Sequence, residues 1–212
     1  MSNPTDTPAE STSSVLVPLA LAAIVAATSS YLGYRWWQVE TSLRDGQTVD
    51  AVPLGRPQPT LASFTLTDST GGEFDAADMQ GRVWVVSYFF TTCPGSCIRL
   101  NNNIRTLHND PALADVTWLS ITCDPANDTV EQLAGYAQRM EANGDRWIFA
   151  RAELDYVKQV GKSMNLDIYE QSHKAYCIVI DRAGQLHGVY DLAGEAKDVE
   201  RLKKRLLELL GE

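Results

Sequence analysis

Cys93 and Cys97 stand four positions apart in FFTTCPGSCIRL (89–100), where an apolar run ends. On a helix that spacing sets both sulfurs on one side, one turn apart. Pro94 suits a first helical position, where a missing N–H costs little. The positive end of a helix dipole lowers a thiol's pKa and favours thiolate. Two thiolates there can attack a disulfide or hold a soft metal. The same pair could also be a structural disulfide or ordinary core. Redox pairs commonly use C-x-x-C, and C-x3-C is wider. Two thiolates with one imidazole suit Cu(I), Cu(II) or Zn(II), so a third ligand is the diagnostic feature.

The elements around the pair decide which histidine can reach it. VWVVSYFF (83–90) is a continuous β-branched and aromatic run, the pattern of a strand buried on both faces. A helix is expected to start at the cysteines, with Cys93, Cys97, Leu100, Ile104 and Leu107 on one face. VTWLSITC (116–123) reads as a second buried strand. Asp128 is expected to cap the next helix, with Glu131 at the capping-box position and Val130, Leu133, Ala137 and Met140 inward. RWIFA is a short strand and ELDYVKQVGKSM a short helix. AYCIVID and QLHGVYD are strands joined by a hairpin at RAG, and Val199, Leu202, Leu206 and Leu209 face inward on a closing helix. Ahead of all these, SFTLTD reads as a strand and STGGEF as a hairpin turn. The class is α/β: a central mixed sheet flanked by helices, a parallel portion followed by an antiparallel hairpin, in a thioredoxin-like arrangement.

In that arrangement AYCIVID runs antiparallel to VWVVSYFF, so its start lies at the edge where the cysteines are. His173, just before AYCIVID, is the one histidine the topology brings to them. His108 lies at the far end of the cysteine helix, about 15 Å from Cys97 at ~1.5 Å per residue. His187 sits in the last strand. Cys177 lies roughly 13 Å deeper in its strand than His173 at ~3.3 Å per residue, and reads as core.

The formal net charge of -9 argues against a nucleic-acid binder, which needs a basic face to neutralise phosphates. Four cysteines are too sparse for a disulfide scaffold in 212 residues. Residues 1–14 are polar and read as a disordered tail. No charged residue occurs from Ser11 to Tyr34. VLVPLALAAIVAATSSYLGY would span about 30 Å as a helix at ~1.5 Å per residue, and Arg35, Trp36 and Trp37 follow as an interfacial belt would. A transmembrane anchor is expected over 15–37, a Pro- and Gly-rich linker over 38–60, and the globular domain over 61–212. Arg35 and Arg44 alone would weakly favour a cytoplasmic domain.

YFFTTCPGSC, SITCDPANDTVEQLAGYAQRM and SHKAYCIVIDRAGQL together resemble, in order and spacing, three signature segments of the Sco/SenC family. These are membrane-anchored, thioredoxin-like copper proteins that help assemble the binuclear copper centre of cytochrome c oxidase. The resemblance covers residues 61–210 and implies copper ligands at Cys93, Cys97 and His173, with Asp124 and Pro125 in a D-P turn. It implies a copper chaperone, its partners being the copper-site subunit of the oxidase and other copper chaperones. The soluble domain would face the periplasm, or the intermembrane space in a mitochondrion, against the arginine count. The alternative is a thiol-disulfide oxidoreductase acting on the oxidase's copper-site cysteines, with Cys93 as nucleophile and Cys97 as resolving thiol. Gly95 and Ser96 stand where family members often carry bulkier or acidic residues. Cys123 is less expected: it reads as a resolving thiol or an auxiliary copper ligand, with Asp124 beside it, or as a buried spectator. A peroxiredoxin is disfavoured, because Phe90 and Val86 occupy its Thr and Pro positions.

Overall fold

The structure, a computed structural model, describes residues 63–142, 145–171 and 175–211, with Ser30 alone ahead of them. The expected anchor (but for Ser30), the linker and His173 lie outside the described residues. Among the described residues no helix is long and apolar enough to cross a membrane. Internal packing divides the chain into two units, Met1–Asp50 and Ala51–Glu212, and every element below belongs to the second.

Seven strands form one sheet. In chain order the strands are β1 (Thr65–Asp68), β2 (Glu73–Asp75), β3 (Trp84–Phe89), β4 (Thr117–Thr122), β5 (Trp147–Arg151), β6 (Tyr176–Ile180) and β7 (Leu186–Asp191). The helices are α1 (Ser96–His108), α2 (Val130–Arg139), α3 (Leu154–Ser163) and α4 (Ala196–Gly211). Across the sheet the order is β2-β1-β5-β4-β3-β6-β7. Strands β3, β4 and β5 are parallel, and β6 runs antiparallel to β3 with Ser87 opposite Cys177. This is the expected mixed sheet with flanking helices.

All six residues of β3 and all six of β4 are buried, as their unbroken apolar runs require. The two serines within those runs satisfy each other: Ser87 Oγ and Ser120 Oγ are 3.0 Å apart, and Trp147 Nε1 donates to Ser120 at 3.0 Å. Buried hydroxyls are tolerated in a core only when paired in this way. On α4 Leu202, Leu206 and Leu209 are buried and Val199 is partly buried, as their spacing predicts. On α2 the buried residues are Leu133 and Tyr136. The Tyr136 ring packs tilted against Phe89 and edge-on against Phe149, at centroid separations of 5.1 and 5.6 Å.

Two expectations are corrected. Helix α1 begins at Ser96, not at Cys93, because Gly95 takes the N-cap with φ -152 and ψ -78. Cys93 therefore sits in the turn before the helix. Helix α2 is capped by Thr129, whose side chain accepts the Gln132 N–H at 3.3 Å. Asp128 turns into the core instead.

Candidate metal centre

Strand β3 carries the chain to the sheet edge, where Cys93 N–H donates to Phe90 O at 3.3 Å and closes a turn. Gly95 supplies no side chain to cap α1. The Cys93 sulfur takes that place: it accepts the Cys97 N–H at 3.4 Å, and Ser96 Oγ lies 3.6 Å from it. Both cysteines are buried, and none of the four in the chain is in a disulfide. Burial opposes ionisation of Cys93. Against it, the Cys97 thiol, the N–H groups of Gly95 and Cys97 and the Ser96 hydroxyl all donate to its sulfur and hold its pKa down at about 6. Burial pushes Cys97 up to about 12, and the proton it gives to Cys93 reinforces this, while the Phe90 N–H works in the other direction. The pair is thus one thiolate backed by one thiol. Ser96, which the sequence presented only as a small spacer, belongs to the site.

Cys123 directly follows β4 and is fully buried. Its N–H and its thiol both donate to Phe89 O, at 2.8 and 3.2 Å. The N–H of the same Phe89–Phe90 peptide serves Cys97. No described peptide is cis, and the C=O and N–H of a trans peptide point opposite ways. Cys123 is thus linked to Cys97 through that peptide. Among the described residues no three His, Cys, Asp or Glu side chains are grouped to hold a metal ion.

The loop after β4, DPAND (124–128), holds two fully buried carboxylates. Asp128 accepts from Thr91 N–H at 3.1 and 3.3 Å and from the hydroxyls of Thr91 and Thr122, so it fixes the chain two residues before Cys93. Asp124 accepts the Asn127 side-chain amide, 3.0 Å from each oxygen, and Gln171 Nε2 at 3.0 Å. The Gln171 N–H also donates to Cys123 O at 3.3 Å. Arg151 Nη2 braces the loop from outside through Pro125 O at 2.7 Å. The sequence marked Asp124 and Pro125 but not the inward role of Asp128.

The other histidines are elsewhere. His108 is buried at the end of α1, with its ring 5.7 Å from that of Trp147. His187 lies in β7 between Asp181 Oδ2 at 2.6 Å and Arg205 Nη2 at 2.7 Å. Cys177 is fully buried opposite Ser87, and burial pushes its thiol well above the usual range.

The sequence profile described as SCO1/SenC matches residues 53–208. The chain belongs to that family. The bovine mitochondrial protein SCO2 homolog is 33% identical over 146 residues, 66% of this chain and 53% of that protein. The chain spans about half the length of that relative and of its zebrafish counterpart. BsSco, solved and described as a Sco-family cytochrome c oxidase assembly protein with a disulfide switch, gives a TM-score of 0.62 at 18% identity, covering 76% of this chain and 97% of that one. Arabidopsis thaliana ScoI, solved with copper bound, gives 0.59 at 18% identity, covering 72% and 98%. The mixed sheet with its flanking helices is thus the thioredoxin-like Sco fold.

Proposed function

We propose that this chain carries copper through Cys93, Cys97 and His173 and delivers it to the binuclear copper site of cytochrome c oxidase during assembly. Membership of the SCO1/SenC family and the copper-bound Arabidopsis relative support the cargo; the BsSco relative supports the pathway. The observation that carries the reading is a thiolate–thiol pair in which the N–H groups opening α1 feed the Cys93 sulfur, a donor set suited to Cu(I) or Cu(II). His173 is read as third ligand because its described neighbours converge on that edge. Gln171 hydrogen-bonds to Cys123 and Asp124, and Ala175 precedes the strand antiparallel to β3. The imidazole would complete the ligand set with a borderline donor. Residues 15–37 would anchor the chain, with its domain in the periplasm or intermembrane space, where other copper chaperones could load it.

A second reading has its own support in the two thiols' unequal acidities. The Cys93 thiolate would attack a disulfide at the oxidase's copper site, and Cys97, losing its proton, would resolve the mixed disulfide. Two electrons and two protons would then pass to the target, leaving Cys93–Cys97 oxidised. One experiment separates the readings. Full chain, wild type or His173→Ala, is mixed copper-loaded with the reduced oxidase copper-site subunit, and copper-free and reduced with the disulfide form of that subunit; transferred copper is counted in the first mixture and new target thiols in the second. Delivery lost and reduction kept in the variant supports the copper reading with His173 as ligand. Delivery at the wild-type rate in His173→Ala contradicts it.

A further inference from the structure

The DPAND loop holds the two sides of the site by separate means. Asp128 grips the cysteine turn through Thr91. Asp124 grips the segment that leads to residue 173. Its carboxylate is fully buried and already oriented by Asn127, and its own N–H donates to Thr122 Oγ1 at 3.0 Å. Onto this fixed acceptor Gln171 closes twice, by its side-chain amide to Asp124 and by its backbone N–H to Cys123 O. Gln171 does so at φ 49, a left-handed conformation uncommon for a residue other than glycine or asparagine. An exposed glutamine held there has given up backbone comfort for those two bonds. The same segment is seated upstream, where Leu166 N–H donates to Gly161 O at 2.9 Å and Ile168 fills the notch left by that glycine.

We infer that Gln171, latched to Asp124, is a positioning residue that sets the distance between the cysteine pair and the segment ending at His173. The inference rests on the reading of His173 as a copper ligand. Gln171 touches no metal in this role; it limits how far its segment can drift from the cysteines. A ligand held ready binds more tightly than one that must be ordered on binding.

The test titrates reduced full chain with Cu(I) against a competing chelator in wild type, Gln171→Ala, Gln171→Asn, His173→Ala and the Gln171→Ala/His173→Ala pair. Asparagine accepts the left-handed backbone but is one methylene too short to reach Asp124. It decides the matter if the alanine variant does not fold. Both Gln171 variants should bind Cu(I) about ten-fold more weakly, the scale of one hydrogen bond to a charged acceptor. The double variant should be no weaker than His173→Ala alone, since a positioning residue has nothing left to position. Wild-type affinity in Gln171→Asn, beside a weakened His173→Ala, overturns the latch and leaves the copper reading standing. An equal further loss in the double variant overturns it too, because a general structural role would act with or without the histidine. Unchanged affinity in His173→Ala removes the underlying reading, and the latch with it.

Discussion

Removing the Asp128 carboxylate should cost more stability than any other single change in the loops around the site. Asp128 has no exposed surface and accepts from Thr91 N–H, Thr91 Oγ1 and Thr122 Oγ1. Hydrogen bonds to charged groups contribute about 1.5–3 kcal/mol each, and bonds sharing one acceptor are not additive. Asp128→Ala also leaves three donors in a cavity with no acceptor. A loss of about 3–5 kcal/mol is expected, a large part of the ~5–15 kcal/mol that holds a typical domain together. Asp128→Asn keeps one acceptor oxygen and should lose only about 1–2 kcal/mol. Urea unfolding followed by tryptophan fluorescence reports this directly, since Trp84, Trp118 and Trp147 are buried. Thr91→Val, measured in both backgrounds, should be costly in wild type and nearly silent in Asp128→Ala. An Asp128→Ala midpoint equal to wild type would refute the role drawn from the geometry.

Four further outcomes are expected. In metal-free reduced protein, Cys93 should react with iodoacetamide with a midpoint near pH 6, and Ser96→Ala should move that midpoint upward; a midpoint at the ordinary thiol value would contradict the donor set. Because the fold depresses this pKa below the ordinary 9.0, the linked stability is complete above about pH 9 and is lost as pH falls through 6, which unfolding titrations at fixed pH can trace. Gly161→Ala places a Cβ 2.4 Å from Ile168 Cγ1, so it should destabilise by about 1–3 kcal/mol in thermal unfolding although alanine favours helix. Tyr136→Phe keeps the ring packing but strips the partner 3.0 Å from the buried Asn101 amide, and should lose about 1–3 kcal/mol by urea unfolding.

Much of the architecture was legible because its signals are unbroken runs and helical spacing. VWVVSYFF and VTWLSITC, short and rich in β-branched and aromatic residues, read as strands buried on both faces, and a buried parallel pair needs helices around it. The antiparallel return of AYCIVID beside VWVVSYFF was expected from the thioredoxin-like arrangement, and with it the edge at which His173 was expected; the hairpin at RAG indicated only its pairing with QLHGVYD. What escaped was set by side chains choosing between equal local options. Asp128 and Thr129 are both good caps, and only the buried hydroxyls of Thr91 and Thr122 draw Asp128 inward. Proline at 94 fits a helix start, yet Gly95 moves the start to Ser96 and leaves the Cys93 sulfur to accept the first N–H groups. The bond from the Cys123 thiol to the Phe89 carbonyl at the same sheet edge is likewise invisible to spacing. Gln171 carried no signal, since its role depends on a carboxylate 47 positions away.

The most direct test of the central claim is the copper stoichiometry and X-ray absorption spectrum of the reduced full chain, wild type and His173→Ala. One copper per chain, with two sulfurs and one nitrogen in wild type and the nitrogen lost in the variant, is the result expected. No tightly bound copper in wild type, with Cys93 and Cys97 cycling normally as a disulfide in both proteins, would contradict it.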